Sequence, residues 1–171
     1  MRGIVSTPVI AMVEGTVWGG ACELVMSCDI IVAADDSTFA LTPAKVGVPY
    51  NISGVQNLMN TGGMSLSKEM LFTAQPVPAK RLVDRGIVSR AVPRDQLNAV
   101  TESIAAQIVK NSPLVVTLLK EQLRLLSAAQ NLRPETFERI QAMRRKVYDS
   151  SDYQEGIKAF FEKRQPAFAG S

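Results

Sequence analysis

Two short apolar runs set the strongest limit on what this chain can fold into. Residues 9–13 (Val-Ile-Ala-Met-Val) and 29–34 (Asp-Ile-Ile-Val-Ala-Ala) are long enough for strands and too short for ordinary helices. Strands that are apolar throughout are typical of buried parallel sheets. Three more extended segments are predicted at 16–18, 38–41 and 87–92. The first half is therefore predicted to be α/β, with few, short strands that need neighbours to bury them.

Short helices are predicted between these strands. They cover residues 20–27, 65–73 and 79–85, and Gly86 is expected to end the last of them. Pro43 is predicted to start a brief helical turn. Pro49 and Gly54 are typical of a loop, which is expected to precede apolar residues at helical spacing, Val55, Leu58 and Met59.

The second half has the apolar spacing of amphipathic helices. Apolar residues recur at helical intervals in four segments. The first two cover 96–110 and 113–130, the third begins at Pro134, and the fourth begins near residue 151. Ser150 or Ser151 is expected to cap the last helix. We place a domain boundary at this change of character, with residues 1–93 as a partial α/β core and 94–171 as a helical region. The helices carry more apolar residues than isolated amphipathic helices need, which predicts burial against other chains.

The absence of histidine from the 171 residues restricts the chemistry. It excludes Ser-His-Asp and Cys-His catalysis, histidine general bases and histidine metal ligation. Any acid or base must then be Glu, Asp, Tyr, Lys or Cys.

Composition also limits the partners and the compartment. The net charge is +3, and residues 1–60 hold two basic against five acidic side chains, so the excess lies in the later part. Those basic residues alternate with acids and match no nucleic-acid motif, which favours solvated helix faces over nucleic-acid binding. No apolar run approaches the ~18 residues of a membrane span. Cys22 and Cys28 are predicted to be buried free thiols, which indicates a reducing, cytoplasmic location.

The stretch EGTVWGGACE places two adjacent glycines, Gly19 and Gly20, directly before a predicted helix with an early acid, Glu23. A backbone amide reaches a ligand only where no Cβ blocks it, and amides in the first turn of a helix lack intrahelical partners. The pair is suited to stabilising a negative oxygen. Tight packing of strand against helix also explains it, and the glycine pair alone favours packing while leaving both interpretations open.

A longer run carries a resemblance. The segment PVIAMVEGTVWGGACELVMSCDIIVAADDSTFALTPAKVGVPY resembles the crotonase (enoyl-CoA hydratase/isomerase) superfamily, whose pattern V-x-G-x-x-x-G-G-x-x-E-[LM]-x-x-x-[CS]-D-[IL]-x-[IV]-A it matches nearly throughout. TPAKVGVPYN and the C-terminal FERIQAMRRKVYDSSDYQEGIKAFFEKRQP look most like the branch that decarboxylates methylmalonyl-CoA. The resemblance implies part of a ββα superhelix followed by helices that serve oligomerisation and the CoA site.

Several residue roles are implied by the resemblance. The amide of Gly20 aligns with an oxyanion-hole donor to the thioester oxygen. Glu23 aligns with the first of two hydratase glutamates, but Ala44 stands where the second is expected, which weighs against hydration. Thr42 and Tyr50 match the decarboxylase instead, with Tyr50 hydrogen-bonding the departing carboxylate. Lys163 aligns with a lysine that approaches the CoA end of the ligand.

The implied reaction converts methylmalonyl-CoA to propionyl-CoA without metal or prosthetic group, since CoA is part of the substrate. The implied assembly is a homo-oligomer, a trimer or a dimer of trimers. Nothing here matches the N-terminal segment of the family, which holds the other oxyanion donor in an A/S-G-x-D-like motif. The sequence therefore predicts a shortened member with weak or no activity alone. A non-catalytic CoA-binding or oligomerisation remnant, and a hydratase or isomerase, remain as alternatives.

Overall fold

The computed structural model describes residues 5–127 and 133–170, and the strands there form two small sheets. The strands are β1 (Ile10–Val13), β2 (Thr16–Trp18), β3 (Ile30–Ala34), β4 (Thr38–Ala40), β5 (Val77–Pro78) and β6 (Arg90–Val92). The first sheet has the order β1-β3-β6 and is parallel throughout. The second has the order β2-β4-β5, in which β2 and β4 are parallel and β4 and β5 antiparallel.

Seven helices are described. They are α1 (Gly20–Met26), α2 (Ile52–Thr73), α3 (Ala79–Asp84), α4 (Leu97–Val109), α5 (Pro113–Ser127), α6 (Pro134–Tyr148) and α7 (Ser151–Phe161). Short 3₁₀ helices cover Pro43–Val46 and Arg94–Gln96. In the described part of the chain, no helix combines the length and apolar character needed to cross a membrane.

The chain repeats a strand-strand-helix unit. β1 and β2 lead into α1, and β3 and β4 lead through the 3₁₀ helix into α2. The first strand of each unit joins one sheet and the second strand joins the other, so Ile10 lies opposite Ile30 and Thr16 opposite Thr38. This confirms the predicted α/β class, with a ββα core followed by helices.

The main core contains Phe39, Leu58, Met70 and Leu82, which are all fully buried or nearly so. A smaller cluster joins α4 to the first sheet, because Leu97 packs with Val32 and Ala34. The predicted domain boundary at residue 93 stays a prediction, and the first helix beyond it shares a core with the strands.

The start of α2 differs from the prediction. The helix begins at Ile52, so Gly54 lies in its first turn and not in a loop. The cause is Asn51, whose side-chain oxygen accepts a hydrogen bond from the amide of Gly54 at 2.6 Å and caps the helix. The helix predicted at 65–73 is the part of α2 beyond Gly63, where φ is 73° and the backbone is not helical.

The predicted roles of Gly86 and Ser150 at helix ends are confirmed. Gly86 has φ of 73° after α3, as a helix-ending glycine should, and Ser150 caps α7 by accepting from the amide of Tyr153 at 3.1 Å. β5 was not predicted. Residues 128–130, the end of the helix predicted from 113, lie outside the described residues. Both cysteines are free; burial holds for Cys22 and is wrong for Cys28, which is partly exposed.

The helix α7 lies against the 3₁₀ helix that precedes α2. Gly156 makes this approach possible, since a Cβ there would stand 2.7 Å from the carbonyl carbon of Val46. A Cβ on Gly47 would likewise lie 2.9 Å from the carbonyl oxygen of Asp152. The C-terminal helix therefore touches the segment that connects Thr42 to Tyr50.

Candidate active site

Gly19 and Gly20 occupy different structural environments. Gly19 leaves β2 with φ of 59° and ψ of −128°, a conformation that favours glycine, and its amide donates to the carbonyl of Ala40 at 2.9 Å. Gly20 opens α1, and its N–H has no acceptor within the described residues. A Cβ added to Gly20 would meet no atom within 4 Å. The first turn of α1 thus offers an N–H without an acceptor among the described residues, on a residue whose Cβ direction is open.

Glu23 lies in the same first turn of α1 and is partly buried. The Nδ2 atom of Asn51 donates to both of its carboxylate oxygens, at 2.8 and 3.0 Å. Glu23 is therefore held against the start of α2 and not left free at the surface.

Asn51 was not predicted as a site residue. Its Oδ1 atom accepts from the amide of Gly54 at 2.6 Å and from the hydroxyl of Ser53 at 2.7 Å. An asparagine directly before an apolar residue that opens a helical pattern, as Asn51 is before Ile52, could be recognised in sequence as a helix cap. Its contact with Glu23, 28 residues away, carries no local sequence signal.

Tyr50 packs beside Glu23. A Cβ added to Gly54 would lie 2.8 Å from the ring carbon Cε1 of Tyr50 and 3.1 Å from the carboxyl carbon of Glu23, so ring and carboxylate share one small space. Burial raises the pKa of the Tyr50 phenol above its usual range, and the charge of Glu23 and its hydrogen bonding with the phenol raise the pKa further. The phenol is therefore protonated at neutral pH, and its oxygen carries one proton to donate.

Thr42 lies near the glycine pair. Its hydroxyl oxygen is 3.7 Å from the position of a Cβ on Gly19, and it does not cap the 3₁₀ helix that follows. Ala44 lies in that 3₁₀ helix and is exposed. The first turn of this helix contains no acidic residue.

The structure thus brings Tyr50 close to Glu23, and Thr42 close to Gly19, the neighbour of Gly20. Lys163 is exposed just after α7, with φ of 53°. Its amide donates to the carbonyl of Phe160, and the amide of Arg164 donates to that of Ala159, which is the pattern of a Schellman helix end.

A cavity of about 930 Å³ adjoins Tyr50. Its lining includes Tyr50 and Asn51 on one side and Phe137 and Arg144 of α6 on the other. Within residues 5–127 and 133–170, no three His, Cys, Asp or Glu side chains are placed to hold a metal ion.

The pattern of the enoyl-CoA hydratase/isomerase family matches residues 4–171. The chain belongs to this family. Among the family's curated proteins it is 49% identical, over 163 residues, to methylmalonyl-CoA decarboxylase of Escherichia coli (strain K12), and the match covers 95% of this chain and 62% of that protein. It is 38% identical to the mitochondrial enoyl-CoA hydratase domain-containing protein 3 of Mus musculus, covering 95% of this chain and 53% of that protein.

Solved structures of the family show the same fold. The structure of methylmalonyl-CoA decarboxylase in complex with 2-nitronate-propionyl-CoA superimposes with a TM-score of 0.94 at 48% identity, covering 97% of this chain and 64% of that one. A structure of carnitinyl-CoA hydratase from Mycobacterium avium gives a TM-score of 0.82 at 26% identity, covering 98% and 65%. The chain of this family member therefore spans somewhat less than two thirds of the length of these relatives.

Proposed function

We propose that this family member decarboxylates methylmalonyl-CoA to propionyl-CoA. The observation that carries the proposal is the placement of the protonated Tyr50 phenol beside Glu23, next to the turn that opens with the unpaired amide of Gly20. The 49% identity to the E. coli decarboxylase supports the choice of substrate. The exposed Ala44 speaks against hydration, because it cannot act as a second acid.

The reaction needs a stabilised enolate. As the carboxylate leaves as CO2, the electrons of the broken C–C bond move into the thioester carbonyl, and its oxygen gains negative charge. The N–H of Gly20 donates to this oxygen. Tyr50 donates to the carboxylate and holds it out of the thioester plane, so that the breaking bond overlaps the carbonyl π-system. The electron pair of the enolate then returns to the α-carbon, which takes a proton from solvent water to give propionyl-CoA.

Substrate and partner roles complete the proposal. Thr42 lies beside Gly19 and is assigned to contact the acyl end of the thioester. Lys163 is assigned to contact the CoA end. The scheme needs no metal or prosthetic group, because the thioester itself accepts the electrons. We place the protein in the cytoplasm, without nucleic-acid or membrane partners.

A homo-oligomer, a trimer or a dimer of trimers, is part of the proposal. The support comes from α5, whose Leu114, Leu118, Leu123 and Leu126 are all more than half exposed. Exposure of this many large apolar side chains on one helix is costly in water. It also keeps a second candidate function open, that of a non-catalytic CoA-binding and oligomerisation module.

The assay compares two substrates. We expect the purified chain to release propionyl-CoA slowly from methylmalonyl-CoA and not to hydrate crotonyl-CoA. Tyr50→Phe should lower kcat about 10- to 100-fold, the loss of one hydrogen bond to a charged group. Tyr148→Phe, a tyrosine in α6 that packs edge-on against Tyr153, is the control and should leave kcat unchanged.

The outcomes separate the candidates. Hydration of crotonyl-CoA in place of decarboxylation would identify a hydratase. CoA-thioester binding without turnover would identify the non-catalytic module. An equal fall in kcat in Tyr50→Phe and Tyr148→Phe would contradict a role of Tyr50 in the reaction.

The role of Lys163 has its own test. Non-glycine residues in the left-handed region are strained by about 1–2 kcal/mol, so Lys163→Gly should raise the free energy of unfolding by up to about 1 kcal/mol. The same change removes the cation and should weaken binding of CoA thioesters, measured by calorimetry. Lys158→Ala in α7, with normal helical geometry, is the control for charge alone. Unchanged affinity in Lys163→Gly would contradict a CoA contact.

A further inference from the structure

The side-chain amide of Asn51 is fixed at both ends. Its oxygen accepts from the amide of Gly54 and the hydroxyl of Ser53, at 2.6 and 2.7 Å. Its nitrogen donates to both oxygens of Glu23, at 2.8 and 3.0 Å. The reverse orientation would place oxygen against carboxylate and NH2 against N–H, so the two sets of partners determine which atom faces Glu23.

The hydroxyl of Tyr50 has two possible hydrogen-bond acceptors, Glu23 and the substrate. Its hydroxyl carries one proton, and its ring shares the space above Gly54 with the carboxylate of Glu23. In the proposed reaction the same proton is donated to the carboxylate of the substrate. Glu23 is the carboxylate that lies next to the phenol, so a hydroxyl that donates to the substrate is not available to Glu23.

The consequence for Glu23 depends on Asn51. A partly buried carboxylate that loses its donors is strongly destabilised. Because Asn51 reaches both oxygens, Glu23 has two hydrogen-bond contacts that do not depend on the hydroxyl of Tyr50. Without them, Glu23 would compete more strongly with the substrate for the proton of Tyr50.

We propose that Asn51 is a positioning residue, which keeps Glu23 hydrogen-bonded so that Tyr50 can turn its hydroxyl to the carboxylate of the substrate. This rests on the proposed decarboxylation and adds to it a residue that touches no reacting atom. The same side chain caps α2, so the geometry of the helix start and that of the acid are set together.

The experiment is a double-mutant cycle. Asn51→Ser retains an oxygen that can cap α2 and removes the amide donors to Glu23. Glu23→Gln removes the charge that needs those donors. We expect Asn51→Ser to lower kcat about tenfold with KM changed less than twofold. In the Glu23→Gln background the same substitution should change kcat less than twofold.

A matched control separates this role from packing. Asn57 also joins α2 to α1, through a 2.8 Å hydrogen bond from its amide to the carbonyl of Met26, but it does not touch Glu23. Asn57→Ser should show no coupling to Glu23, so it should change kcat by the same factor in both Glu23 backgrounds. A purely structural Asn51 would lower kcat equally in both Glu23 backgrounds and in proportion to the loss of thermal stability, which would overturn the proposal.

A spectroscopic readout does not depend on turnover. The chain has three tyrosines, so 3-fluorotyrosine labelling gives three ¹⁹F signals, of which Tyr50→Phe identifies one. Asn51→Ser should shift the Tyr50 signal when Glu23 is present and leave it unmoved in Glu23→Gln. If this coupling is found and methylmalonyl-CoA is not decarboxylated, the proposed function fails while the hold of Asn51 on Glu23 stands. Equal shifts in both backgrounds would overturn that hold.

Discussion

Replacing Gly20 by proline is expected to lower kcat for methylmalonyl-CoA about 100- to 1000-fold. Proline has no N–H, so the substitution deletes the donor that we assign to the enolate oxygen. Removal of one such donor costs about 3–4 kcal/mol of transition-state stabilisation in enzymes with oxyanion holes. Few other substitutions remove a backbone donor while leaving every side chain of the site in place.

The fold is expected to accept this change. Gly20 is the first residue of α1, where proline is favoured because the N–H has no intrahelical partner. The space around Gly20 is open to at least 4 Å in the direction of a Cβ. The midpoint of urea unfolding should therefore remain close to that of the unsubstituted chain.

Gly20→Ala is the matched control for Gly20→Pro. Alanine keeps the N–H, and its methyl group enters the same open space. Its kcat should stay within about threefold of the starting value, while KM rises if the methyl group meets the ligand. Equal kcat values for the proline and alanine variants, with both folded, would show that the amide of Gly20 does not stabilise the reaction.

The strands could be predicted from sequence because their signal is local. The β-branched residues at 30–34 and the turn at Asp35 and Asp36 are sufficient to define β3. β5 could not be predicted in this way, because it has two residues and one of them is Pro78. It exists because Val77 pairs with Phe39, a contact that only the folded chain provides.

The site could also be predicted only in part, because some of its contacts join residues that are distant in sequence. The roles proposed for Gly20 and Tyr50 come from a motif of the family, which a sequence displays directly. Asn51 stands next to Tyr50, but Pro49 and Gly54 favour a loop around it. Its contact with Glu23 depends on the packing of α1 against α2, which brings the two side chains within 3.0 Å.

The other substitution with a large expected effect lies in the C-terminal helix α7, at Gly156. Gly156→Ala should lower the free energy of unfolding by about 1–3 kcal/mol, although alanine is favoured over glycine inside a helix by about 1 kcal/mol. The new methyl group would overlap the carbonyl group of Val46, which is backbone and cannot move aside as a side chain can. The helix α7 must then shift away from the 3₁₀ helix.

The effect of that shift should reach the active site. Residues 43–47, against which α7 lies, connect Thr42 to the Pro49-Tyr50 segment. We therefore expect Gly156→Ala to lower kcat as well as stability, even at temperatures where the variant is folded. Gly20→Ala, with the same chemical change in open space, is the control for stability in urea unfolding. Unchanged stability of Gly156→Ala would show that α7 does not hold the 3₁₀ helix. Loss of stability without loss of kcat would show that this helix does not position Tyr50.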